Sequence, residues 1–311
     1  MKILFFGDSH WSANSLVSLV ENGWTITGVV LRKKTSDDSL ESTAGKLGLD
    51  IYQPEKCNSE EFVRTVKMLT PDLNLSVSYD QILKKQIIDS APKGFINFHA
   101  GKLPYYRGRN IINWAIINGE KEIGLTAHFV DEGIDTGDII LQKTIAIEWE
   151  DSYAEVLGNV TMKFPDLVSE TVSLIESGQF NRKKQSHLIG TYFPKRMPGD
   201  EWIDWRDTSL NIYNKIRAIS RPGPGARTVM DGKTIVVWRS TYDPEWPLYN
   251  AIPGAIVGIE EEGIRVKTGN STIILNDCEP VESAGDHHHP LFKISTRFEP
   301  FLNSYMEKIK D

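Results

Sequence analysis

Between Ile96 and Ile139 the chain gathers an amide, an imidazole and a carboxylate inside an otherwise apolar frame. Asn97 and His99 stand two apart at the end of Phe95-Ile96-Asn97-Phe98-His99, a run preceded by Pro92-Lys93-Gly94. In an extended strand both side chains project from one face and Phe98 from the other. Asp135 and Asp138 lie in a polar loop, 131–138, after the strand-like segment 124–130. A neutral imidazole beside a carboxylate that fixes its tautomer and supports its protonated form is a general-base arrangement. An amide close by can donate to a developing oxyanion, so the chemistry these residue types suggest together is acyl transfer. Taken singly, His99 also reads as a hydrogen-bonded structural histidine, and 131–138 as a polar turn.

Such residues need a frame. Short apolar runs at 3–6, 24–31, 72–78, 95–99, 125–130 and 139–147 read as strands, whereas 59–69 and 80–90 have helical spacing. That alternation predicts an α/β fold with a mainly parallel sheet covered by helices. The segment 101–109 carries Gly101, Gly108, Pro104 and the cations Lys102, Arg107 and Arg109; it follows the His99 strand at the end where open α/β sheets hold ligands. The first strand-to-helix turn, at 7–11, lacks G-x-G-x-x-G and gives no support for a nicotinamide dinucleotide. Further on, 151–178 is mostly helical and 209–220 reads as another helix. Short strands are expected at 226–230, 233–239, 255–259, 264–268 and 271–275, with a hairpin turn at Asp231-Gly232. The expected organisation is a catalytic domain at 1–180, a linker at 181–208 and a small β-barrel domain at 209–311.

With the frame in place, the motifs resemble those of the folate-dependent formyltransferases. Asn97-Phe98-His99 stands as N-x-H, Leu103-Pro104-Tyr105-Tyr106-Arg107-Gly108 as L-P-x-Y-R-G, and Asp135-Thr136-Gly137-Asp138 as D-x-G-D. The N-terminal strand and turn, 1–16, and the layout of the C-terminal third extend the resemblance over nearly the whole chain. It implies a Rossmann-like N-terminal domain, an OB-like C-terminal domain, and transfer of a formyl group from 10-formyltetrahydrofolate to an amine, with no metal required. By the same resemblance His99 would accept the amine proton, Asn97 would help stabilise the tetrahedral oxyanion, and Asp135 would orient and polarise His99. Tyr79, Ile82, Leu103 and Ile134 would line the folate slot, although such apolar residues equally read as core. Gly101 and Lys102 stand where the family often has Ser and Leu, a departure that bears on substrate more than on chemistry.

Two acceptors compete within that resemblance: a nucleotide-linked amino sugar, with UDP the expected nucleotide, and the methionyl group on initiator tRNA. From Gly199 to Asp311 there are 13 Lys and Arg against 17 Asp and Glu, a net charge of −4, within a chain of net charge −7. Nucleic-acid binding rests on phosphate contacts, so the charge balance favours the amino sugar and no nucleic-acid partner. Lys102, Arg107 and Arg109 are then candidate diphosphate contacts. Solvated charges, or for Arg107 folding of its loop, are the plainer readings. Arg217, in Arg217-Ala218-Ile219-Ser220-Arg221-Pro222-Gly223-Pro224-Gly225, resembles part of the interdomain loop of enzymes acting on UDP-linked 4-amino-4-deoxy sugars; interaction with a helix dipole is its plainer role. A folate or sugar-nucleotide binder without catalysis and a 10-formyltetrahydrofolate hydrolase remain alternatives from other classes.

Composition sets the outer bounds. A chain of 311 residues, 40% hydrophobic and 25% charged, can bury a full core. Cys57 and Cys278 form no C-x-x-C pattern, and no apolar stretch approaches the roughly 20 residues that span a bilayer. A cytoplasmic, non-membrane protein without a signal peptide is expected; a homodimer is left open. His287-His288-His289 precedes a proline and reads as a surface loop rather than a metal site. Trp202 and Trp205 are expected to anchor the linker to the second domain.

Overall fold

The structure is a computed structural model and describes residues 1–281 and 292–299; His287-His288-His289 lies outside them. In chain order the elements are β1 (Lys2–Gly7), α1 (Ser9–Glu21), β2 (Thr25–Leu31), α2 (Ser39–Lys46), β3 (Ile51–Tyr52), α3 (Glu60–Leu69), β4 (Leu73–Val77), α4 (Lys85–Ile88) and β5 (Phe95–His99). There follow β6 (Arg107–Gly108), α5 (Ile111–Ile117), β7 (Glu122–Phe129), β8 (Ile139–Ala146), α6 (Tyr153–Ser177) and β9 (Tyr192–Phe193). The last are α7 (Ser209–Ile219), β10 (Ala226–Met230), β11 (Lys233–Thr241), β12 (Ile256–Glu260), β13 (Gly263–Lys267) and β14 (Thr272–Pro280). Two compact units result: one of Met1–Ile111, Glu122–Ala146 and Leu157–Pro194, the other of Ile112–Lys121, Ile147–Val156 and the described residues from Lys195 onward.

The first unit is built on a seven-stranded sheet in the order β3-β2-β1-β4-β5-β7-β8. Its pairings from β3 to β5 are parallel, whereas β5 with β7 and β7 with β8 are antiparallel. Ile3, Leu4, Phe5 and Phe6 of β1 are fully buried, as a continuous apolar run demands of a strand covered on both faces. Leu4 and Phe6 join Val30, Phe62, Val66 and Phe95 in one core cluster. Helix α3 delivers Phe62 and Val66 to it; the Ser59 side chain caps the start by accepting from the Phe62 N–H, and Glu60 and Glu61 complement the dipole. Only 85–88 of the segment expected to be helical at 80–90 is helix. Side chains compete for the backbone before it: Asn58 bonds the Ile82 carbonyl and the Lys84 N–H, and Arg109 bonds the Asp80 carbonyl.

The second unit carries a five-stranded antiparallel sheet in the order β10-β11-β14-β13-β12. The hairpin expected at Asp231-Gly232 joins β10 to β11, with both turn residues at positive φ. Trp205 lies within this unit; its Nε1–H donates to Thr228 Oγ1 at 2.9 Å and its ring stacks on Phe298. Among the described residues no helix is long and apolar enough to cross a membrane.

Candidate active site

Register places three polar side chains in a row across the first unit's sheet. Ser76 on β4 is the partner of Asn97 on β5, and Asn97 is the partner of His128 on β7. Ser76 Oγ donates to Asn97 Oδ1 at 2.6 Å, and Asn97 Nδ2 lies 3.1 Å from His128 Nε2. The other ring nitrogen, Nδ1, is 2.8 Å from the Phe129 carbonyl, an acceptor only, so Nδ1 carries the proton and Nε2 offers its lone pair to the amide. The row thereby orients Asn97: oxygen toward Ser76, nitrogen toward His128 and toward Asp135 Oδ1 at 3.4 Å. That last bond is long, and its N–H is the one available to a substrate oxygen.

The tautomer of His99 follows from the same logic. Its Nε2 lies 2.6 Å from the carbonyl of Tyr106, so Nε2–H donates and Nδ1 holds the lone pair. That lone pair faces Asp135, whose Oδ2 is 3.7 Å away, beyond hydrogen-bond reach but close enough to stabilise an imidazolium. His99 is only 9% exposed. Gly101 lets the Tyr106 loop fold onto the ring: a Cβ there would sit 2.4 Å from the Tyr106 oxygen and 2.5 Å from His99 Nε2. The glycine that departs from the family pattern therefore has a local steric role.

Asp135 is fixed from several sides. Its backbone is left-handed, φ 53°, and its Oδ2 accepts from the Gly108 N–H at 2.9 Å. Gly108, at φ 104°, would put a Cβ 2.2 Å from the Phe193 carbonyl oxygen, so only glycine brings that N–H into place. Burial by itself raises the Asp135 pKa. The imidazoles of His99 and His128, when charged, and the Gly108 N–H outweigh burial and hold the carboxyl well below the usual carboxylate range. An anionic carboxylate beside a ring nitrogen with a free lone pair, and an oriented amide N–H, can accept a proton and stabilise an oxyanion in one place.

The remaining expected residues separate into several groups. Arg107 is fully buried at 0% exposure and does not face a ligand: its Nε and Nη2 donate to Gln185 Oε1 at 3.2 and 2.7 Å, and its Nη1 to the Tyr192 hydroxyl at 3.1 Å. The reading of Arg107 as a diphosphate contact is corrected accordingly, because its donors brace the loops. Arg217 belongs to the second unit, where it bonds Asn214 Oδ1 and the carbonyls of Glu148 and Asp151; those donors too are committed to the fold. Lys102 is ion-paired with Glu122, and Arg109 donates to the Asp80 carbonyl. Leu103 is buried, and Tyr79 packs edge-on against Phe6. Ile82 and Ile134 are 73% and 55% exposed, apolar surface suited to a ring system.

Ser76 and Gln185 were not legible as site residues. Ser76 depends on the β4–β5 register, and Gln185 lies in a segment that reads as linker. A cavity of ≈ 630 Å³ borders the 131–138 loop at Thr136 and Gly137 and is lined also by Phe129, Arg182, Lys184 and Gln185, but not by Asn97, His99 or Asp135. Among the described residues no cluster of His, Cys, Asp and Glu could hold a metal ion.

Comparison with known proteins identifies the family. Residues 1–171 match the family described as formyl transferase, and 195–284 match its C-terminal domain. A methionyl-tRNA formyltransferase of Desulforamulus reducens is 32% identical over 287 residues, 90% of this chain and 90% of its own length. That of Bacillus subtilis is 34% identical over 288 residues, again 90% of each chain. A crystal structure of an N-formyltransferase from Helicobacter canadensis, in complex with folinic acid and dTDP-3-aminofucose, superposes with a TM-score of 0.70 at 22% identity, over 89% of this chain and 100% of the other. At that identity the likeness shows the fold alone. The relatives at 30–34% identity carry the name methionyl-tRNA formyltransferase, and they overturn the expectation that a nucleotide-linked amino sugar is the acceptor. The physical reason lies in the charge criterion: a net charge averages the whole surface, whereas phosphates meet local cations.

Proposed function

Because this chain belongs to the formyl transferase family and is a formyltransferase, we propose that it transfers the formyl group of 10-formyltetrahydrofolate to the amino group of methionyl-tRNA. The observation that carries the acceptor is the relatives' identity of 30–34% over about nine-tenths of the chain, all under one name. The folate supplies an activated formyl carbon. Exposed Ile82 and Ile134, with half-buried Tyr79 and buried Leu103, are the residues we assign to its ring system.

His99 Nδ1 accepts the proton that the attacking amine loses as its nitrogen bonds to the formyl carbon. Asn97 Nδ2–H donates to the oxygen that becomes negative as the carbonyl opens. Asp135 remains ionised and balances the imidazolium. His99 then returns the proton to the departing folate nitrogen as the old carbon–nitrogen bond breaks, which restores the neutral ring. His128 and Ser76 hold the amide in its donating orientation. For the second unit we keep the OB-like reading; the antiparallel strand order and the bulges in β11 and β12 support it.

The test is mass detection of the formylated product, with release of tetrahydrofolate, from charged initiator tRNA and from a panel of nucleotide-linked amino sugars. Formyl-methionyl-tRNA as the product supports the reading, and a formylated sugar alone contradicts it.

A further inference from the structure

We propose that Gln185 is a positioning residue that holds Asp135 in place through its side-chain amide. This rests on the functional reading above and deepens it. Gln185 comes from a third segment, outside both site loops, and is bonded to each of them. Its Nε2 donates to the carbonyls of Asp135 at 3.0 Å and Gly137 at 2.6 Å; its Oε1 accepts two bonds from Arg107, which precedes Gly108. The two N–H donors and the oxygen are all used, and the orientation of the amide is unambiguous. Reversing it would set donors against a guanidinium and an acceptor against two carbonyls.

The segment itself is anchored. Lys183 pairs with Ile139 through two backbone bonds of 2.9 Å, which brings Gln185 beside the start of β8. Asp135 needs such support, since a left-handed aspartate persists only where its surroundings over-determine it. Gly108 holds the carboxylate from one side and Gln185 holds the backbone carbonyl from the other. Arg107 is buried, and among the described residues no carboxylate pairs with it, so Gln185 Oε1 and the Tyr192 hydroxyl are its side-chain acceptors. One amide thus satisfies a buried cation and locks the catalytic loop.

Gln185→Glu separates these two duties. The carboxylate keeps, and electrostatically strengthens, the acceptor for Arg107, but it removes both donors and faces the Asp135 and Gly137 carbonyls with oxygen. Gln185 is itself buried, and the added charge is met there by the Arg107 guanidinium, its partner through Nε and Nη2. Three readouts are taken on the full chain: thermal unfolding, kcat and folate KM with methionyl-tRNA, and the titration of the Asp135 carboxyl by carbon-13 NMR. The expected result is a lowered melting temperature with the chain still folded at the assay temperature, kcat reduced tenfold or more at a folate KM within twofold, and an Asp135 titration moved up toward the ordinary carboxylate range. A kcat within twofold of wild type with an unmoved Asp135 titration overturns the proposal. If Gln185→Glu does not accumulate folded, Gln185→Asn, whose shorter side chain cannot span both loops, is read against the same outcomes. A wild-type protein inactive on methionyl-tRNA would defeat the functional reading only, since the Asp135 titration requires no acceptor.

Discussion

The Tyr106 carbonyl lies 2.6 Å from His99 Nε2, and that one contact assigns the ring its tautomer and leaves Nδ1 to face Asp135 at 3.7 Å. A main-chain oxygen from the L-P-x-Y-R-G loop thus decides which nitrogen can act as the base, and in the resting site that nitrogen carries no proton for the carboxylate to share.

Gly101→Ala should disturb this relationship directly. Its Cβ would lie 2.5 Å from His99 Nε2 and 2.4 Å from the Tyr106 oxygen, both less than contact distance. We expect a folded but less stable protein, by about 1–3 kcal/mol as for overpacking, with kcat reduced more than folate KM is raised. Chemical denaturation and steady-state kinetics check this; unchanged kcat would show that the Tyr106–His99 contact is dispensable.

Asn97→Ala should remove the oxyanion donor while leaving β5 intact. The expected loss is about 10²- to 10³-fold in kcat, as for removal of one such donor. Ser76→Ala keeps the amide but frees its oxygen end, so a smaller loss is expected, about fivefold, from roughly 1 kcal/mol of one neutral hydrogen bond. Equal losses in the two variants would contradict the orienting role of Ser76.

The stability contribution of Asp135 has a defined pH window. Its folded-state carboxyl is held below the unfolded value of about 3.9. A depressed carboxyl stabilises the fold fully above the unfolded value, and the contribution is lost as pH falls through the folded one. Asp135→Asn should therefore melt below wild type at neutral pH, with the gap closing at pH values under about 4. A gap independent of pH, followed by thermal unfolding, would contradict the electrostatic account.

If methionyl-tRNA is the acceptor, its KM should rise steeply with salt, by roughly tenfold or more between about 50 and 200 mM, as phosphate contacts are screened. The folate KM should change much less. A salt-independent acceptor KM would contradict nucleic-acid binding.

Period-two spacing was enough to put Asn97 and His99 on one face, and the strand expected at 95–99 is β5, Phe95–His99. The motif spacing likewise made Asp135 a candidate to join them. What stayed illegible depends on long-range partners. Arg107 reads equally as a diphosphate contact and as a residue that folds its loop until Gln185, 78 residues later, is seen to take its donors. The 80–90 segment has helical spacing, yet Asn58 and Arg109 take its early backbone groups. For the acceptor, total charge misleads, because it averages a surface on which phosphates meet local cations.

The most direct measurement is formyl transfer from 10-formyltetrahydrofolate to methionyl-tRNA by wild type and by folded His99→Ala, side by side. Wild type should yield formyl-methionyl-tRNA and tetrahydrofolate in equal amounts, and His99→Ala should be slower by about 10²-fold or more. Near-normal transfer by His99→Ala, or wild-type transfer to an amino sugar with none to tRNA, would contradict the account.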